Sequence, residues 1–169
     1  YNHQTQSLSC SQRIDSGIVP IDINGDGKTD IIKSDNNNIR KTWINTGNGF
    51  VEDANWQLPS SFNFFNSSGS DQGIRFLDLN SDGYLDIVKS TPSGSFVSYN
   101  NGNGWEGQSS ISNGFQFFVG MDGRSTGIQS VDLNSDGYVD LIKKDGSNNQ
   151  VYISNGNGWN LDSRWTSLG

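Results

Sequence analysis

The sequence is poor in the residues from which covalent chemistry is usually built. It has one Cys, Cys10, one His, His3, and one Met among 169 residues. A single Cys cannot close an internal disulfide, so Cys10 is read as a free, buried thiol or as a partner for another chain. Any nucleophile or base would have to be Cys10 or His3, and both lie in a polar stretch with no surrounding motif, which argues against an enzyme. Proline is scarce, at 3 residues, and no apolar run approaches the roughly 20 residues of a membrane span. Only 11 Lys and Arg stand against 18 Asp and Glu, for a net charge of −7, and no basic cluster exists to meet a phosphate backbone. Nucleic acid is therefore not an expected partner.

What is abundant is turn chemistry. The chain has 21 Gly and many Asn, Ser and Asp between short apolar stretches, the pattern of many short strands joined by turns. Hydrophobic residues make up only 31%, yet 5 Trp, 5 Tyr and 9 Phe supply large core side chains, so the low average hydropathy does not imply disorder. The length suits one domain, residues 1–169.

One stretch, Asp22-Ile-Asn-Gly-Asp-Gly-Lys-Thr-Asp30, returns as Asp78-Leu-Asn-Ser-Asp-Gly-Tyr-Leu-Asp86 and as Asp132-Leu-Asn-Ser-Asp-Gly-Tyr-Val-Asp140. Three copies mark a repeat protein. Each places carboxylate or amide oxygens at loop positions one, three, five and nine, with Gly27, Gly83 or Gly137 at position six where the backbone must turn. Calcium takes six to eight oxygens at flexible geometry, and alternate oxygen-bearing positions plus a carbonyl at position seven can wrap around it. An EF-hand would need a bidentate Glu at position twelve and flanking helices. Position twelve is instead Lys33, Lys89 or Lys143, and the flanks, such as Ile31-Ile32 and Ile87-Val88, read as strands. Turns that bind nothing explain one such loop better than three aligned ones.

Nine of the eighteen acidic residues are the Asp of these loops, so three bound Ca²⁺ would nearly cancel the net charge. Loops without the Glu suit calcium-rich surroundings, where extracellular modules bind at about 10⁻⁴ to 10⁻³ M. A secreted or cell-surface location is expected. Asn66-Ser67-Ser68 is the sole glycosylation sequon.

Taken in order, residues 1–16 form an N-terminal segment, followed by repeats at 17–72, 73–126 and a truncated 127–169. In the first repeat, strands are expected over 18–23, 29–33, 39–44 and, less regularly, 51–56. The third ends in a tight turn, Asn45-Thr-Gly-Asn-Gly-Phe50, matched by Asn100-Asn-Gly-Asn-Gly-Trp105 and by Gly156-Asn157-Gly158-Trp159. Gly17-Ile18, Gly73-Ile74 and Gly127-Ile128 keep the register between repeats. Aromatic stretches at Phe62–Phe65 and Phe115–Phe118 connect the units, as core or as exposed interface.

On these loops, the apolar pair after each and the Asn-Gly-Asn-Gly-aromatic turn, the chain resembles the FG-GAP/VCBS repeat family of integrin-α-like, calcium-bound propeller blades, over most of 17–160. The resemblance implies an all-β fold of four-stranded blades, each holding Ca²⁺ between its first two strands. It implies one site of Asp22, Asn24, Asp26, the Lys28 carbonyl and Asp30, a second of Asp78, Asn80, Asp82, the Tyr84 carbonyl and Asp86, and a third of Asp132, Asn134, Asp136, the Tyr138 carbonyl and Asp140.

Three units do not close a ring, since propellers use about 4–8 blades. Residues 161–169 resemble 51–59, with Trp165 matching Trp56, and residues 1–17 look like the connection that should follow them. The units are then expected to meet neighbouring repeats of a longer chain or other copies of this one, in a ring or a filament. The expected function is non-enzymatic, in adhesion or as a self-assembling structural subunit. The alternative is a lectin-like module binding glycans, with Trp43, Trp105 and Trp159 as candidate aromatic faces, although aromatics at equivalent repeat positions are more often blade core.

Overall fold

The computed structural model describes residues 17–35, 39–111, 118–120, 124–145 and 148–165. His3, Cys10, Phe115 and Phe117 fall outside them. The described chain is all-β, in three four-stranded antiparallel sheets, each in simple sequence order. The first is β1 (Ile18–Ile21), β2 (Asp30–Ser34), β3 (Arg40–Asn45) and β4 (Phe50–Glu52). The second is β5 (Ile74–Leu77), β6 (Asp86–Thr91), β7 (Gly94–Ser98) and β8 (Ser109–Ser110), and the third β9 (Ile128–Val131), β10 (Asp140–Asp145), β11 (Asn148–Ser154) and β12 (Trp159–Leu161). These are propeller-blade-like repeats, and the three do not form a closed ring.

The fourth strand is shorter than the sequence suggests. It stops at Glu52, and Ala54–Trp56 forms a 3-10 turn because the Asp53 side chain accepts the Asn55 N–H at 2.9 Å. A short acidic side chain that captures a nearby N–H draws the backbone away from the ladder. Asp162 does the same for Ser163–Trp165, accepting the Arg164 N–H at 2.9 Å.

Strand register decides which face of each sheet meets its neighbour. Val19 lies opposite Ile32, and Ile21 opposite Asp30, so these share one face, which we call the forward face. Ile18, Pro20 and Ile31 share the rear face. Forward-face Val19, Ile21 and Ile32 of the first sheet cluster with rear-face Ile74 and Ile87 of the second, sealed by Trp56, Phe62 and Phe64. The pattern repeats one blade on, where Leu77, Val88 and Val97 pack with Leu141, Tyr152 and Trp159. The first aromatic stretch is therefore core: Phe62 is buried outright, and Trp56 meets Trp105 edge-on at 6.1 Å. Phe118, from the second stretch, is buried against the second sheet with the Arg75 guanidinium 5.2 Å from its ring centroid.

The Gly-Ile steps set the entry to each sheet. Gly73 has φ +68°, its carbonyl accepts the Ser90 N–H at 2.9 Å, and a Cβ there would lie 2.3 Å from the Ser90 carbonyl oxygen. Gly17 is the same, with a Cβ position 2.4 Å from the Ser34 oxygen. Gly73→Ala is expected to cost about 1–3 kcal/mol through left-handed strain and this backbone clash. Gly107, with open space at its Cβ position, is the control. Equal urea midpoints for Gly73→Ala and Gly107→Ala would refute the register role.

Candidate metal centre

Each candidate loop joins the first two strands of its sheet, and its own side chains hold it in shape. Asp22 Oδ1 accepts the N–H groups of Gly25 (2.9 Å) and Asp26 (3.1 Å), while its Oδ2 accepts that of Gly27 at 2.8 Å. Asn24 Oδ1 accepts the Asp26 N–H at 3.0 Å, and Asp26 Oδ1 that of Lys28 at 2.9 Å. The second and third loops repeat the scheme: Asp78 and Asp132 accept from Gly83 (3.0 Å) and Gly137 (3.1 Å), and Asp82 and Asp136 from Tyr84 and Tyr138, both at 2.9 Å. Short acidic and amide side chains that satisfy backbone donors two to five residues on are what winds this sequence into a loop.

Position nine behaves differently. Asp30, Asp86 and Asp140 are fully buried, and each carboxylate ties the start of its own strand to the backbone just after the first strand and to that at the end of the third. Asp30 Oδ2 accepts the Ile23 N–H at 3.0 Å and Oδ1 that of Asn45 at 2.8 Å. Asp86 takes Leu79 and Asn100, both at 2.9 Å, and Asp140 takes Leu133 at 3.0 Å and Ser154 at 2.8 Å. The fifteen candidate ligands thus divide into an outer set at positions one, three, five and seven and an inner clasp at position nine. Among the described residues, no group of three or more His, Cys, Asp or Glu side chains gathers as a metal cluster.

The donor set itself is all oxygen and suits a hard cation. A carboxylate has about four lone-pair sites, and the clasp uses two of them. Electrostatics adds to this fit. Burial pushes the Asp86 carboxyl up to about 7, with the charges of Asp82 and Asp78 adding to the rise, and burial also raises Asp78. In the first loop the Lys28 ammonium lies 2.9 Å from Asp26 Oδ2 and, chiefly through that hydrogen bond, holds the Asp26 carboxyl below its usual range. In the other two, the amides of Asn80 and Asn134 donate to Asp82 and Asp136 at 2.8 Å. In all three loops a positive or donating group from the loop itself faces the position-five carboxylate.

Two contributions were not apparent from the sequence. Position four, Gly25, Ser81 and Ser135, is left-handed in every copy, with φ of 75°, 63° and 61°, and in the first two copies it touches the following loop. A Cβ at Gly25 would lie 2.9 Å from the Tyr84 ring, and Ser81 Oγ donates to the Gly137 carbonyl at 2.7 Å. The Asn of the tight turn also does more than turn. Asn100 is buried, and its amide donates across the blade boundary to the Ile23 carbonyl at 2.8 Å. The Gly at position four, where the other copies carry Ser, was the available signal for the first of these.

Comparison with known proteins accords with the fold. A lectin of Agrocybe aegerita, described by its specific recognition of non-reducing terminal N-acetylglucosamine, is similar with a TM-score of 0.63 at 22% identity, over 87% of this chain and 38% of that one. The Tc holotoxin pore of Photorhabdus luminescens is similar with a TM-score of 0.64 at 17% identity, over 89% of this chain and 7% of that one. At these identities the likeness is one of fold, and this chain spans well under half of either protein. No curated protein matches it. The family described as FG-GAP-like repeat matches twice, over residues 22–89 and 78–143, each match starting at the first Asp of a loop and taking in the loop that follows. By these matches, across most of its length, the chain belongs to the FG-GAP-like repeat family.

Proposed function

We propose that this chain is a non-catalytic, calcium-ordered segment of an extracellular assembly, adhesive or structural, whose blades stack on further blades of the same kind. Calcium neutralises the loop carboxylates and fixes each β1–β2 type hairpin. Its oxygen-only donor sets lack the high-affinity Glu, which fits calcium-rich surroundings outside the cell. Among the described residues no helix is long and apolar enough to cross a membrane.

The observation that carries this reading is the unequal burial of equivalent residues. Ile21 and Leu77 are 4% and 6% exposed beneath the next blade, whereas Val131, their counterpart in the third sheet, is 39% exposed. Conversely, Trp159 is 1% exposed against the preceding blade, while its counterpart Phe50 in the first sheet is 51% exposed. The rear face of the first sheet and the forward face of the third are thus the two halves of an interface already made twice within the chain. Joined between two copies, they form a heterologous contact that propagates or closes. An exposed Trp165, matching the buried Trp56, adds to the forward face.

Sedimentation velocity in millimolar calcium tests this. The chain is expected to associate as concentration rises, and Phe50→Ser with Val131→Ser to weaken that association at least about tenfold while leaving stability within about 0.5 kcal/mol. A wild-type chain that stays monomeric at the highest concentration, or a double variant that associates as before, would overturn the proposal.

A further inference from the structure

The sole glycosylation sequon, Asn66-Ser67-Ser68, lies outside both the candidate metal loops and the strands of the sheets. We propose that Asn66 is an acceptor for an N-linked glycan. This rests on the extracellular part of the proposed function, since such glycans are added to chains on the secretory route.

The first reason is placement. The sequon occupies a turn in the connection between the first two blades, bridged at its base by Phe65 and Asp71 and closed by the Asn66 N–H on the Ser70 carbonyl at 3.0 Å. Phe64 before it is buried in the core, whereas Asn66, Ser67, Ser68 and Gly69 are all exposed. A Cβ placed on Gly69 would meet nothing within 4 Å. None of these residues belongs to the rear face of the first sheet or the forward face of the third, so the turn is not itself part of the stacking interface.

The second reason is which atoms of Asn66 are already engaged. Its Oδ1 accepts from the Ser68 N–H at 3.0 Å, the Ser68 hydroxyl at 2.7 Å and the Ser70 N–H at 2.9 Å. Its Nδ2 makes no hydrogen bond among the described residues. In transfer from a lipid-linked diphosphate sugar, Nδ2 forms a bond to C1 of the sugar and gives up one proton. The bond from C1 to the diphosphate oxygen breaks, and the diphosphate leaves with its electron pair. One N–H and the whole of Oδ1 remain on the modified side chain. Every bond that the Asn66 side chain contributes to the turn therefore survives, and the folded chain carries the product without rearrangement.

The third reason is that the turn closes without Asn elsewhere. In the second connection Val119 and Ser125 form the same bridge, and the Gly120 N–H donates to the Arg124 carbonyl at 2.9 Å, with Gly120 in the place of Asn66. The repeat does not by itself call for the sequon. Ser67 between the two recognised residues is not proline, so the Asn-x-Ser pattern is complete.

Secretion of the 169-residue chain from cultured mammalian cells behind a cleavable leader tests the acceptor, read by intact-mass spectrometry before and after peptide N-glycosidase. A glycan-sized increase in mass is expected, removed by the amidase with conversion of Asn66 to Asp. Asn66→Asp, which keeps an oxygen for each of the turn's bonds, and Ser68→Ala are each expected to abolish the increase, and Ser68→Thr to retain it. Should the first two variants fail to leave the cell, mapping the glycan to the peptide that holds Asn66 in the wild-type chain decides the matter. A secreted wild-type chain without the added mass would overturn the proposal. So would an added mass that resists the amidase or persists in Asn66→Asp, as sugars on the neighbouring serine hydroxyls would. Because the leader supplies the secretory route, an empty Asn66 counts against the acceptor alone, while a chain that stays monomeric in sedimentation counts against the assembly reading alone.

Discussion

Asp30→Ala is expected to lower folding stability by about 2–6 kcal/mol, a large part of the 5–15 kcal/mol that holds a typical domain together. The cause is local. Asp30 is fully buried, and its two oxygens accept the Ile23 and Asn45 N–H groups at 3.0 and 2.8 Å. Alanine leaves both donors without a partner, each at about 1–3 kcal/mol. Asp26→Ala separates this clasp from cation binding. Asp26 is exposed and accepts within its own loop, from Lys28 N–H and ammonium, so in chelator its loss is expected to cost far less than that of Asp30. In calcium both variants lose a proposed ligand. Urea unfolding of the two in chelator decides the matter: equal losses would show that position nine has no structural role beyond that of position five.

That division of labour marks how far the sequence could be read. The loops, their place between the first two strands and the four-stranded units were all legible, because three copies of Asp-x-Asn-x-Asp-Gly-x-x-Asp fix turn residues and apolar pairs at constant spacing. Whether Phe62 and Phe64 were core or exposed interface was not, since an aromatic run carries no period and only packing against the sheets shows which side is covered. The same limit hid the inward turn of Asp30, Asp86 and Asp140. Nothing in their spacing separates a ligand from a clasp, because the difference lies in the N–H groups of Asn45, Asn100 and Ser154, fourteen or fifteen residues downstream. The unequal exposure of Phe50 and Trp159 was likewise beyond reach: both follow the same turn, and only one has a blade to pack on.

Calcium should have the largest effect of all. For sites of about 10⁻⁴ to 10⁻³ M, 10 mM Ca²⁺ stabilises the folded chain by about 1.4–2.7 kcal/mol per site, or about 4–8 kcal/mol if all three loops take it. In a chain of this length each kcal/mol moves Tm by about 2–4 °C, so calorimetry in 10 mM calcium against chelator is expected to show a rise of about 10–30 °C. The gain is largest if metal-free loops are poorly gathered, and each holds three carboxylates that repel one another without a cation. The loops also touch in series, through Gly25 against Tyr84 and Ser81 on the Gly137 carbonyl, so filling one loop fixes a wall of the next. Ser81→Ala removes one of these links without touching a candidate ligand, and is expected to leave the number of bound ions unchanged while broadening the calcium titration. Magnesium, which demands closer octahedral geometry and sheds water reluctantly, should stabilise far less. A Tm identical in calcium, magnesium and chelator would mean that the Asp side chains serve only their own backbone N–H groups, and the metal assignment would fall while the fold stood.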